Sequence, residues 1–187
     1  MKNFIHTCMC LLFVVVGLSC KKSTPNDPNT VTDIDGNVYK TVKIGNQTWM
    51  AENLRTTKYR NGDPIPLIKD AGAWSNLGSG AYHGPFFADK LEYGNFYNWF
   101  AVSDPRNIAP EGWHVATDAE FTELASFLGG NAIAGNKLKE AGTTHWNDPN
   151  SGTNESGFTA LGNGIVNATD GNIASAWVLT TFTVWAN

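Results

Sequence analysis

Hydrophobic and polar positions divide the chain into three stretches of different character. Lys2 and His6 precede an apolar run that includes Met9, Leu11, Leu12, Phe13, Val14, Val15 and Val16 and ends at Gly17-Leu18-Ser19-Cys20. A basic start, an apolar middle and a small-residue end are the order of an export signal. The run is too short to cross a bilayer, which takes about 20 apolar residues. Residues 21–30 then carry no aromatic and almost no aliphatic side chain, and Pro25 and Pro28 stiffen them. They read as a disordered spacer. Folding signals begin at Val31.

Val38, Val42 and Ile44 share one parity, and Gly45-Asn46 supplies turn residues before Gln47-Thr-Trp-Met50. This predicts two short strands joined by a tight reversal, with an earlier turn at Asp35-Gly-Asn37. From Arg55 to Pro85 the chain is rich in Gly, Pro and Asn with scattered aromatics. It reads as long ordered loops held by Trp74, Tyr82 and Phe86. Tyr93, Phe96, Tyr97, Trp99, Phe100 and Val102 form a dense apolar segment, either a strand or a short buried helix.

The clearest helix begins at Thr117, where Thr117-Asp-Ala-Glu120 has the capping-box pattern. Phe121, Leu124, Ala125 and Leu128 repeat at i, i+3, i+4 and i+7 as one apolar stripe, and Gly129-Gly130 ends it. A shorter helix is expected from Ile133 to Glu140, stopped by Gly142. Loops follow around Trp146 and Gly152, then short strands near Phe158 to Leu161 and Ala176 to Val184. Few helices among many short strands and long loops describe an α+β domain.

Cysteine use and charge narrow the chemistry. Cys8 and Cys10 fall within the signal, so cleavage leaves Cys20 as the only cysteine, with neither an internal disulfide nor a thiolate zinc cluster to make. The remaining 168 residues carry 12 Lys and Arg against 17 Asp and Glu. They suffice for one domain burying roughly 70% of its unfolded surface. No basic run exists, which argues against a nucleic-acid partner.

Asp33-Ile-Asp-Gly-Asn37 opens like a calcium loop, but Ile44 stands at the twelfth position, where an EF-hand needs glutamate. Another calcium geometry competes there with a hairpin turn. His114, between Trp113 and Val115, reads as a satisfied interior histidine rather than a ligand or base. His83 and His145 have no suitably spaced partner for zinc. Glu120 and Glu123 lie one turn apart, with Glu120 already assigned to the cap. Trp146-Asn-Asp148 reads as a turn capping its own backbone more readily than as calcium ligands. Aromatic rings between residues 74 and 99 either staple loops to the core or stack on sugars. No catalytic set, cofactor site or metal site emerges.

Ser19-Cys20 followed by polar residues resembles the lipobox and tether of bacterial lipoproteins, with Gly17 and Leu18 standing where that pattern has an aliphatic and a small residue. The resemblance implies lipid attachment at Cys20, where acyl chains gain about 0.8 kcal/mol per buried CH₂. Six ordered blocks carry a second resemblance: Val31-Thr-Asp-Ile-Asp-Gly-Asn-Val-Tyr-Lys40, Ile44-Gly-Asn-Gln-Thr-Trp-Met-Ala-Glu-Asn-Leu54, Tyr93-Gly-Asn-Phe-Tyr-Asn-Trp99, Gly112-Trp-His-Val-Ala-Thr-Asp-Ala-Glu120, Ala134-Gly-Asn-Lys-Leu-Lys139 and Asn154-Glu-Ser-Gly-Phe-Thr-Ala160. Together they resemble the Fibrobacter succinogenes major paralogous domain, a family grouped with C-type-lectin-like and formylglycine-generating domains. That implies a C-type-lectin-like α+β fold over residues 31–187 and no settled activity. The formylglycine-generating enzymes need reactive cysteines, which the mature chain lacks. Past Leu161 the sequence departs from the family pattern. This implies a shortened or divergent end in which a β-prone edge strand would invite self-association.

The expected organisation is a signal peptide over 1–19, a lipidated tether over 20–30 and the domain over 31–187. The expected protein is an envelope lipoprotein, at the outer membrane and periplasmic or surface-facing. It is held to the membrane through Cys20 and binds a glycan or an envelope protein without catalysis. A carbohydrate-active or other hydrolase and a structural envelope component are the alternatives.

Overall fold

The computed structural model describes residues 27–85 and 90–162 in full and the backbone of residues 165–166, 173–174 and 184–186. The expected export signal, Cys20, Phe86 and residues 176–183 lie outside the described residues. Among those described, no helix is long and apolar enough to cross a membrane.

Strands β1 (Thr30–Thr32), β2 (Val38–Ile44) and β3 (Gln47–Met50) form an antiparallel meander, with Ile44 opposite Gln47 across the reversal at Gly45-Asn46. Gly45 takes φ +63°, which glycine adopts without the steric cost of a Cβ. After β3 come α1 (Ala71–Ser75), β4 (Tyr82–His83), a 3-10 turn (Leu91–Tyr93), β5 (Phe96–Tyr97) and α2 (Trp99–Val102). Then β6 (Trp113–Val115) leads into α3 (Asp118–Phe127) and α4 (Asn131–Leu138), followed by β7 (Ile165–Val166), β8 (Ile173–Ala174) and β9 (Val184–Ala186). The main sheet has the order β1-β2-β3-β9-β6, antiparallel throughout, and β4–β5 and β7–β8 form separate pairs. The domain is therefore α+β. β9 lies between β3 and β6, while residues 176–183, the bulk of the β-prone strand expected at the edge, lie outside the described residues.

Alternation along β2 and β3 feeds two cores. Tyr39 and Met50 point to one face and join Leu54, Tyr59, Ile65, Tyr97 and Ile108. Ile44 and Trp49 point to the other and join Leu124, Leu128, Ala134 and Phe158. The parity of Val38, Val42 and Ile44 thus marks only one of two buried faces, and Val38 is itself half exposed. A sheet covered on both sides buries both parities.

The helix at Thr117 forms as its sequence predicts, with both hydrogen bonds of the capping box present. Leu124 and Leu128 are buried, while Phe121 stays partly exposed and tilts against Trp49 with ring centres 5.3 Å apart. Gly129 and Gly130 take positive φ, and the Gly130 N–H donates to the Ala125 carbonyl over 2.8 Å. The next helix differs from expectation, running from Asn131 to Leu138. It stops before Gly142 because Lys139 turns extended and pairs with Ala160. The Glu140 N–H donates to the Ala160 carbonyl (3.0 Å) and the Ala160 N–H to the Leu138 carbonyl (2.9 Å). The strand expected around Phe158 to Leu161 contracts to that single bridge. The apolar segment 93–102 holds both expected forms, and α2 turns Trp99 outward, 72% exposed.

Long loops fill the Tyr39 face, fastened by side chains that bond to backbone. Asn95 donates to the Arg55 and Thr56 carbonyls, and the Tyr97 hydroxyl donates to Thr56 O (2.7 Å). Asn98 caps α2 and also accepts the Ala81 N–H over 3.0 Å. Arg60 donates to the carbonyls of Ala109, Pro110 and Trp113. Gly94, at φ +66°, lies against the Leu54 carbonyl, where a Cβ would come within 2.7 Å of that oxygen. Trp74, Tyr93 and Tyr97 are buried within these loops, so the rings there act as staples.

Candidate functional site

An open cleft of about 630 Å³ runs along β2. One side is built by Lys40 of β2 together with Glu52 and Arg55 of the turn after β3. That turn is pinned to β2 by the Ala51 N–H on the Lys40 carbonyl (2.9 Å) and the Arg55 guanidinium on the Val38 carbonyl (2.9 Å). Arg55 also lies over the Tyr39 ring, 4.5 Å from its centre. Its cation is therefore held in place before anything binds.

The other side brings together Glu92, Glu140 and His145. Glu140 follows the bridge that ends α4, and His145 follows the turn through Gly142. Asn150 clamps that turn by donating to the carbonyls of Glu140 (2.8 Å) and Gly142 (2.7 Å). His145 Nδ1 lies 2.9 and 2.8 Å from the two Glu140 oxygens. An ionised carboxylate only accepts, so Nδ1 carries a proton and the imidazole is oriented. Nε2 is left facing Glu92 Oε1 at 3.9 Å, beyond hydrogen-bond length. The Tyr93 ring meets the imidazole edge-on at 5.4 Å between centres. His145 thus has partners that its spacing in the sequence did not suggest. Glu92 lies 53 positions earlier, and only the meeting of the 3-10 turn with this loop joins them.

The residues singled out in the sequence lie elsewhere. His114 is partly exposed rather than interior and binds Glu120 Oε1 through Nε2 at 2.8 Å. Glu120 Oε2 accepts from the Thr117 backbone and hydroxyl. Partial burial works against ionisation of Glu120, yet the Thr117 N–H and then the His114 ring hold its carboxyl below the ordinary value. This pair secures the start of α3 and does not line the cleft. Glu123, exposed on α3, is likewise not among the lining residues.

Asp33 folds its own hairpin, accepting from the N–H groups of Asp35 and Asn37, the Asn37 amide and, over 2.5 Å, the Tyr39 hydroxyl. Asp35 reaches across to Thr57 and the Lys58 ammonium (2.9 Å). Burial pushes its carboxyl up, and the Thr57 and Lys58 contacts outweigh that to leave it below the ordinary carboxylate range. Asp33 is engaged in forming its turn and Asp35 in fastening that turn to the loop at Thr57 and Lys58. In the Trp146-Asn-Asp148 run, Trp146 is buried with its ring N–H on the Ala160 carbonyl (2.9 Å), and Asn147 and Asp148 are exposed. The backbone clamp of this loop is Asn150 instead. Among the described residues no three His, Cys, Asp or Glu side chains are grouped so as to hold a metal ion.

Fold and cleft define an α+β domain with a charged, open groove beside its sheet. The chain belongs to the family described as the Fibrobacter succinogenes major domain, whose model matches residues 42–186. No curated protein and no solved structure matched the chain.

Proposed function

We propose that this chain is a non-catalytic binding domain of the cell envelope, anchored to a membrane through lipid on Cys20, with the cleft beside β2 as its recognition surface. The observation that carries the binding role is the form of that cleft. At about 630 Å³ it has the size of a small-molecule or polymer-segment site, and several of its charged side chains are fixed by neighbours before any ligand arrives. The tether rests on the apolar leader and the Ser19-Cys20 junction. A hydrolase reading has one feature in its favour, the imidazole oriented by Glu140. Oriented imidazoles serve binding as readily as proton transfer.

Two measurements test the reading. Labelled fatty acid should enter the wild-type protein and not Cys20→Ser; equal labelling, or none in either, removes the anchor. Immobilised full-length protein should retain envelope fragments, and Leu91→Trp, which crowds the cleft from an exposed position, should release them. Retention that ignores Leu91→Trp places recognition elsewhere, and turnover of a retained fragment favours the hydrolase.

A further inference from the structure

The cleft is polarised. Lys40 and Arg55 stand on the β2 side, and Glu92 and Glu140 stand with His145 on the other. Among the described residues the Lys40 ammonium makes neither an ion pair nor a hydrogen bond, and Glu92 has only the 3.9 Å approach to His145. Arg55 has used one donor on Val38 and sits 3.9 Å from Glu52, so its planar fork retains open N–H groups. Glu52 stands beside Arg55 on the β2 side, so a purely anionic ligand satisfies Lys40 and Arg55 but meets three carboxylates, those of Glu52, Glu92 and Glu140, and a purely cationic one meets Lys40 and Arg55. A ligand bearing both charges satisfies both sides. Val42, Leu91 and Leu161 line the same cleft and offer aliphatic contact. Sugar rings are commonly held by aromatic faces. Among the described residues no Trp, Tyr or Phe lines this cleft, and the exposed Trp99 is not part of it.

We propose that the cleft binds a short peptide with a free ammonium and a free carboxylate, the carboxylate toward Lys40 and Arg55 and the ammonium toward Glu92 and Glu140. This rests on the binding role argued above and gives it a chemical class. Glu140 is a fixed charge because His145 holds both its oxygens, whereas Glu92, half exposed, is free to close onto the ammonium. The aliphatic residues contact the chain between the termini and set little sequence preference.

Calorimetry and amide chemical shifts on the full-length protein at low salt provide the test, with three probes: trialanine, N-acetyl-trialanine amide and neutral chitotetraose. Trialanine should bind saturably and shift the amides of residues 40, 92 and 145. The blocked peptide should bind at least about ten-fold more weakly, since charge-assisted hydrogen bonds to both termini are gone. Glu92→Gln and Lys40→Gln should each weaken trialanine about five- to ten-fold at an unchanged melting temperature. Equal binding of the blocked peptide, or indifference to both substitutions, overturns the zwitterion proposal. Chitotetraose shifting the same amides while trialanine does not also overturns it and leaves the binding domain standing. No response in the cleft to any probe, together with envelope retention that ignores Leu91→Trp, removes both.

Discussion

Trp49 and Met50 are consecutive residues of β3, yet they enter two cores of different construction. Around Trp49 the partners are Ile44, Leu124, Leu128, Ala134 and Phe158, supplied largely by two helices. Polar contact there is confined to a small chain in which Trp49 donates to Gln47 and Gln47 donates to the Glu120 carbonyl. Around Met50 the partners include Tyr39 of β2 and Tyr97 of the short β5 together with Leu54, Tyr59, Ile65 and Ile108 from loops, and the tyrosine hydroxyls of residues 39 and 97 are hydrogen-bonded inside the core. Helices satisfy their own backbone, so the side packed by helices needs apolar shape and little else. Loops do not, so the side packed by loops must also supply partners for backbone groups. Asn95, Asn98, Arg60 and Asp33 are the form that requirement takes here.

The contrast is sharpened first by Trp49→Ala. Removing the largest fully buried side chain among the described residues should cost about 3–5 kcal/mol by chemical denaturation, transfer and cavity terms together. A loss below about 1 kcal/mol would mean that the helical side is not a packed core. On the other face Tyr39→Phe keeps the ring and deletes one oxygen. The Arg55 N–H, which donates to that oxygen over 3.0 Å, then loses its acceptor, and Asp33 loses a donor. About 1–3 kcal/mol should be lost, and a neutral result would show that the loop side does not depend on internal hydrogen bonding.

The smallest effect is read from acid titration. Asp35 and Glu120 are both held below their ordinary values of 3.8 and 4.5 in the folded protein. The unfolded chain therefore binds protons first as pH falls. The stabilisation from each is complete above those ordinary values and drains away as pH drops toward the folded ones. Asp35→Asn should flatten that part of the stability curve more than His114→Ala does, because Thr117 continues to hold Glu120 after the imidazole is gone. The reverse ranking would place the stronger electrostatic dependence on the helical side.

The same difference explains what could be read from the chain. The β2–β3 hairpin and the start of α3 are specified by neighbours: Gly45 with its flanking parity, and Thr117 with Glu120 three positions on. Both form as the sequence predicts. The end of α4 is not local information, because Ala160, about twenty positions away, stops the helix at Lys139. On the loop side Tyr39 pairs with Asp33 and Arg55, and Asn98 with Ala81, at separations that follow no period. The cleft is assembled by such contacts and leaves little local signature. Glu140 and His145 flank a glycine turn, a local hint that two side chains face each other, but Glu92 joins them only through tertiary folding. His114 and Glu120, which looked more like chemistry, are engaged at a helix start.

β9 reaches its place between β3 and β6 from far along the chain: Thr48 and its partner Ala186 are 138 positions apart. The β2–β3 hairpin can close within microseconds, whereas a loop of that size adds an entropic delay to every later pairing. Until β9 docks, β3 and β6 each present an unpaired row of backbone donors and acceptors to whatever strand arrives first. Susceptibility to aggregation is then a matter of timing, concentrated in the interval before the sheet is completed and absent from the finished molecule's interior strands.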